Sequence, residues 1–299
     1  MSFKTPLRAA RALAASGTQW IWEQGLCIAG CWTKPVVRRW DSPGAQQVLV
    51  IAPHPDDEAL GCAGTLLAHR RAKDDIWVVH VTDGRRSRAR RLDAAEMARQ
   101  RKTEAENAAH LLGIQRFAWL GLPERDWSTE DLRSRLVTLL DVFSPSIIYA
   151  PSLVDFHPEH IRVAQAIALA LLEHRQSPEF PPVIRAYPMQ VPLTACLTNV
   201  ITDVSCDQAA IKAVFDTYLT QRNSLLRGLR LRRYAACFYR VGSLVEEFWE
   251  LSVEHYAALH RELRLLDRGG PFRGLRYHPF SDPLSYLQGR SLRRRLNRR

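Results

Sequence analysis

Residues 50–61 read VIAPHPDDEALG, with His54 held between two prolines and followed at once by Asp56, Asp57 and Glu58. Adjacent carboxylates repel one another. Drawing them out of water raises their pKa or costs several kcal/mol unless a cation sits between them. About a hundred residues further on, His157-Pro158-Glu159-His160 places two histidines three positions apart. They share one face of any helix that Pro158 opens. Two histidines and a carboxylate, with coordination positions left open, is the composition of a hydrolytic zinc site. Such an ion lowers the pKa of a water and polarises a carbonyl, which hydrolysis of a poor electrophile such as an amide needs at neutral pH.

Elements that could bring these segments together are visible on either side. From residue 46 the chain alternates short β-rich runs with long amphipathic ones: QQVLVIAP, CAGTLLAHRRAK, IWVVHVTDG, AAEMARQRKTEAENAAHLLG, RFAWLGL, TEDLRSRLVTLLDVF, SIIYAPS and PEHIRVAQAIALALLEH. Continuous apolar strands alternating with helices predict an α/β domain, Rossmann-like, with a mainly parallel sheet covered on both faces. Ligands of such sheets bind beyond the carboxyl ends of the strands. Both chemical segments lie at such ends. Residues 181–193, PPVIRAYPMQVPL, lead into a less regular C-terminal portion, in which 207–221 and 243–266 read as helices by apolar spacing.

Simpler readings compete for individual residues. Asp57 or Glu58 could cap the helix that follows, favoured by its dipole. Capping accounts for one acid and leaves the second histidine-rich segment unexplained. Cys62 reads as a small buried residue at the start of that helix. Neither a GxGxxG fingerprint nor a Walker A motif is present, and three carboxylates occupy the loop where a pyrophosphate would sit, so a dinucleotide cofactor is disfavoured.

PHPDDE and HPEH, separated by β-α units, resemble the motifs of the LmbE-like family of metal-dependent deacetylases, which includes the N-acetylglucosaminyl-phosphatidylinositol de-N-acetylases (PIG-L). The resemblance covers roughly residues 46–175. It implies an LmbE-type fold and a Zn2+ ion, with Fe2+ as an alternative, held by His54, Asp57 and His160. It further implies Asp56 as general base and His157 beside the substrate carbonyl, where it stabilises the oxyanion and helps protonate the leaving group. The family's usual Asp is replaced here by Glu159, which bears on how His157 is oriented. A basic residue of the loop VTDGRRSR would meet the substrate, with Arg88 favoured over Arg85 and Arg86. The family's Arg and Glu three apart before a Leu-Gly turn correspond to Arg101, Glu104, Leu112 and Gly113, which helix-surface pairing and a C-cap glycine also explain. The implied activity is removal of the N-acetyl group from an N-acetylglucosamine-type sugar or its conjugate, lipid-linked glycans included. Hydrolysis of another small amide is the alternative reaction. A basic binding protein with a vestigial site is the alternative of another class, against which the intact His54, Asp56, Asp57, His157 and His160 argue.

The rest of the chain sets the context. Its 299 residues are expected to form a head over 1–45, a deacetylase domain over 46–265 and a basic tail over 266–299. Lys plus Arg exceed Asp plus Glu by 42 to 31, for a formal charge of +11. Such a surface favours anionic company, which on charge alone is nucleic acid, phospholipid headgroups or a phosphorylated substrate; beside the deacetylase motifs, an anionic membrane stays among the candidates and no nucleic acid is expected as partner. Six cysteines without CxxC pairing, no clear signal peptide and no run of roughly 18 uncharged apolar residues point to a reduced, cytoplasmic protein, with peripheral attachment at the inner membrane face as an option. The head carries Trp20, Trp22 and Trp32, and the last ten residues hold six arginines. Together they can be drawn as an interfacial helix and an electrostatic tether.

Overall fold

The computed structural model describes residues 4–87, 92–114, 116–155, 157–174, 182–189, 192–193, 196–267 and 294. The chain begins with α1 (Lys4–Thr33) and β1 (Arg38–Arg39), then runs through β2 (Gln47–Ala52), α2 (Asp57–Arg71), β3 (Asp75–Thr82), α3 (Ala94–Leu112), β4 (Arg116–Leu122), α4 (Thr129–Phe143), β5 (Ile147–Pro151) and α5 (Pro158–His174). It continues with β6 (Val183–Tyr187), β7 (Val200–Asp203), α6 (Gln208–Thr217), α7 (Arg222–Tyr239), β8 (Val245–Leu251) and α8 (Val253–Asp267). The strands form one sheet in the order β1-β7-β8-β6-β5-β2-β3-β4. All neighbouring pairs are parallel except the two that involve β8. From β2 the chain steps outward to β3 and β4, then returns to the other flank of β2 as β5. The order therefore reverses between β2 and β5, and a crevice opens beyond the carboxyl ends of those two strands.

Strand β2 shows why the sheet is covered on both sides. Leu49 and Ile51 enter one buried cluster with Leu132, Leu136 and Leu140 of α4, Val163 and Ile167 of α5, and Tyr256 of α8. Val48 and Val50 enter another with Ala63 and Leu66 of α2, Ala105 and Leu112 of α3, and Ile211 of α6. Successive side chains point to opposite faces, so a strand buried on both is apolar throughout. Gly113 closes α3 at φ 71° as the C-cap glycine read from the sequence, and a capping box of Asp93 and Glu96 opens the same helix.

Residues 243–266 are not one helix. Val245, Phe248 and Trp249 have helical spacing, yet 245–251 is the antiparallel strand β8, and only the following residues are helical. Packing overrides the periodicity, because β8 fills the gap between β6 and β7 and its acids are paired inside the protein. Helix α1 packs on α7: Trp22, Leu26 and Ala29 meet Tyr234, Ala235 and Phe238. A Cβ added at Gly30 would lie 1.9 Å from the Phe238 carbonyl oxygen, so only glycine lets the helices approach so closely. The arginine tail lies outside the described residues, Arg294 excepted.

Candidate active site

Each of the three consecutive acids has its own partner. Asp57 opens α2 and turns its carboxylate back to the strand end, where Oδ2 accepts from the His54 backbone N–H at 2.8 Å. Asp56 stands at the N-cap position but makes no side-chain cap, and Asp57 and Glu58, read from the sequence as capping candidates, lie inside the first turn of the helix. Instead of capping, Asp56 Oδ1 accepts from Nη2 of Arg101 at 2.5 Å, and the same nitrogen donates to the Pro55 carbonyl at 2.8 Å. Asp56 also holds φ at 154°, a conformation that residues with side chains rarely adopt and that clusters at functional sites. Glu58 points away, 2.9 Å from His80 Nε2, and accepts from the Tyr218 hydroxyl.

The second segment is built by Asp155. Its Oδ1 accepts from the His157 backbone N–H at 2.9 Å, and its Oδ2 lies 3.0 Å from His160 Nδ1. That contact leaves His160 Nε2 facing the first segment. There Nε2 lies 3.2 Å from His54 Nδ1 and 3.3 Å from Asp57 Oδ2, and His54 Nδ1 lies 3.2 Å from the same Asp57 oxygen. His157 stands beside this triangle, with its ring 4.9 Å from that of His54 and 4.7 Å from that of His160. A ring nitrogen from each of the three histidines fits within 4.8 Å, but the set of His54, Asp57 and His160 is the tighter one.

Electrostatics point the same way. Burial alone would raise Asp57, yet the charges of His160 and His54 and their hydrogen bonds hold it well below the usual carboxylate range. His160 moves oppositely: burial would lower it, but Asp57 and Asp155 push it well up. The cluster thus draws positive charge to the point between them. Burial dominates at Asp56 and raises it, only partly opposed by Arg101. His157 is pushed down to about 2 by burial and by the neighbouring histidines, and so stays neutral. Three donor atoms 3.2–3.3 Å apart match the edges of a tetrahedral shell with ligand distances of roughly 2.0–2.1 Å. The residues fit a zinc-like ion.

Glu159, the substituted position, is buried and accepts from Trp127 Nε1 at 2.7 Å and from Arg162 Nη1 at 3.3 Å. Arg88 lies outside the described residues. Of its two loop companions, Arg85 pairs with Asp83 at 2.5 Å, while Arg86 lines the cavity over the site. Arg101 and Glu104 are not a helix-surface pair: both are buried, the first on Asp56 and the second accepting from Thr220. Sequence reasoning missed Asp155 and Glu124, whose Oε1 lies 3.8 Å from His54 Nε2 and whose Oε2 accepts from the Arg86 N–H at 2.9 Å. An acid two residues before the second motif was there to be read as its turn. Nothing local marks Glu124. The cavity, about 900 Å³, is floored by the histidines and acids and walled by residues 219–232, which include the start of α7.

Residues 49–171 match the PIG-L family, described as GlcNAc-PI de-N-acetylase. A probable N-acetyl-alpha-D-glucosaminyl L-malate deacetylase 2 of Bacillus anthracis is 27% identical over 146 residues, 45% of this chain and 64% of that protein. The chain thus spans less than two thirds of that relative. Among solved structures, N,N'-diacetylchitobiose deacetylase of Pyrococcus horikoshii superposes with a TM-score of 0.61 at 22% identity, over 71% of this chain and 86% of that one. The 4-carboxy-2-hydroxymuconate hydratase GalB of Pseudomonas putida KT2440 superposes with a TM-score of 0.59 at 17% identity, over 70% and 96%. The fold is therefore shared by enzymes of two different reactions.

Proposed function

We propose that this chain, which carries a PIG-L family domain over residues 49–171, is a metal-dependent N-deacetylase that hydrolyses the N-acetyl amide of an N-acetylglucosamine-type sugar or its conjugate. One observation carries the reading: His54 Nδ1, Asp57 Oδ2 and His160 Nε2 converge within 3.2–3.3 Å of one another at the floor of a cavity. These three residues would hold the ion, with zinc favoured by two imidazoles and one carboxylate and Fe2+ as the alternative. When bound, the ion would supply Lewis acidity toward a carbonyl oxygen and toward water.

The remaining work falls to side chains of this chain. Asp56 sits next to a ligand, and its Oδ1 is engaged by Arg101. Its Oδ2 is the atom that takes the proton of the attacking water, and burial favours the protonated form that results. His157 faces the same point as a neutral imidazole and can donate to the oxygen on which negative charge develops. The proton collected by Asp56 then goes to the departing amine, so the products are acetate and a free amino sugar. Asp155 holds His160 in the tautomer that leaves Nε2 free to coordinate.

The test is acetate release across a panel of N-acetylglucosamine conjugates: free, nucleotide-linked and lipid-linked. Activity that EDTA abolishes and zinc restores supports the reading. Acetate release from simple acetamides alone would favour the small-amide alternative. A metal-loaded protein that releases acetate from none of them would remove the deacetylase assignment.

A further inference from the structure

We propose that α1 is an in-plane membrane anchor whose outer face, Trp20, Ile21, Ile28 and Trp32, enters the interfacial layer of an anionic bilayer. The inference is independent of the chemistry assigned to the cavity. At 3.6 residues per turn these four positions fall within an arc of about 120°. They are 59–86% exposed, and Val36 just beyond the helix is 96% exposed. Scattered exposed apolar residues are ordinary, but here two tryptophans and two isoleucines share one helical face, with Gln24 between the two pairs.

The opposite face of α1 is already occupied. Trp22, Leu26 and Ala29 lie in the cluster with α7, and the Gly30 contact locks the two helices together. The exposed stripe is therefore not the helix's docking surface on its own domain, and α1 is held rigidly with the stripe outward. Its only acid, Glu23, lines a small cleft with Cys27, Arg233 and Cys237 on the packed side, so no carboxylate interrupts the stripe. In the sequence, Lys4, Arg8 and Arg11 precede it and Lys34 follows it.

Chemistry selects the occupant. Tryptophans at both ends of an apolar face suit the depth at which lipid headgroups give way to acyl chains. A net charge of +11 favours an anionic surface and opposes a second copy of the same chain. No helix among the described residues is long and apolar enough to cross a membrane, which fits a helix lying in the plane. Helix α7 carries α1 on its C-terminal half and lines the cavity with its N-terminal half, so the anchor and the cavity share one rigid support.

Flotation of the full chain tests the proposal. It should float with vesicles of phosphatidylcholine and phosphatidylglycerol in equal parts, and weakly with phosphatidylcholine alone. The double variant Trp20→Ser, Trp32→Ser should bind about tenfold or more weakly, with an unchanged circular dichroism spectrum and thermal midpoint. Deleting residues 290–299 should lower binding less than the tryptophan changes do. A chain that stays at the bottom with the anionic vesicles at low salt overturns the proposal, as does a double variant that floats like the parent. A dimer in light scattering that the double variant dissociates would assign the stripe to self-association instead.

Discussion

The guanidinium of Arg101 and the carboxylate of Asp56 meet at 2.5 Å, with both side chains almost wholly buried. The pair fixes the Asp56 carboxylate by one oxygen, and in the proposed reaction the other takes the proton. Asp56→Asn should retain metal and lose turnover by about 10² to 10⁴. Arg101→Met strands a buried carboxylate, which should cost about 3–5 kcal/mol of stability in denaturant titration. It should also lower kcat per folded, metal-loaded enzyme with little change in KM, and Arg101→Lys should restore part of the loss. An unchanged kcat in Arg101→Met would leave the residue a purely structural role.

The two possible ligand sets make different demands on His157. With His54, Asp57 and His160 as ligands, His54→Ala should abolish stoichiometric metal in elemental analysis. His157→Ala should keep the metal while turnover falls. Asp155→Ala, which frees the outer nitrogen of His160, should weaken metal affinity about 10–100-fold without removing any ligand. Loss of metal from His157→Ala would instead favour the set of three histidines.

Far from the cavity, His69 makes stability depend on pH. Its Nδ1 lies 2.6 Å from Asp74 Oδ2, and its Nε2 lies 3.0 Å from the Tyr149 hydroxyl, which accepts from Arg185. Burial outweighs Asp74 and lowers His69 from 6.5 to about 4. The unfolded chain then binds the extra proton between those values and the folded chain does not, so stability is complete above about pH 6.5 and falls as pH drops toward 4. The expected loss is on the order of 3 kcal/mol. His69→Gln should flatten that part of a plot of unfolding free energy against pH. An equal slope in parent and variant would place the titration elsewhere.

Much of this architecture was legible in the sequence because its causes are local. The runs 116–122, 129–143 and 158–174 become β4, α4 and α5 with the expected bounds, since their apolar patterning lies within each segment. The two motifs were legible because their residue types carry the chemistry. What escaped depends on contacts across the fold. Arg101 looks like half of an ordinary helix-surface pair until α3 is laid over the loop after β2. Glu246 and Glu247 make β8 look solvated, although one meets Arg232 and the other accepts from Leu193 and Thr198.

The parallel pairing of β5 with β2, Val48 with Ile147, joins segments about a hundred residues apart. Closing such a loop is slow, because its entropy must be met before any contact across it contributes. His54 and Asp57 ride on one partner of that pairing and His160 on the other, so the proposed metal site forms only once the long-range step is complete. An ion that recognises a finished topology acts on the exit from the native state and not on the entry. In stopped-flow measurements, zinc should therefore leave the refolding rate unchanged relative to EDTA while slowing unfolding. Faster refolding in zinc would mean that the two motifs meet before the sheet does.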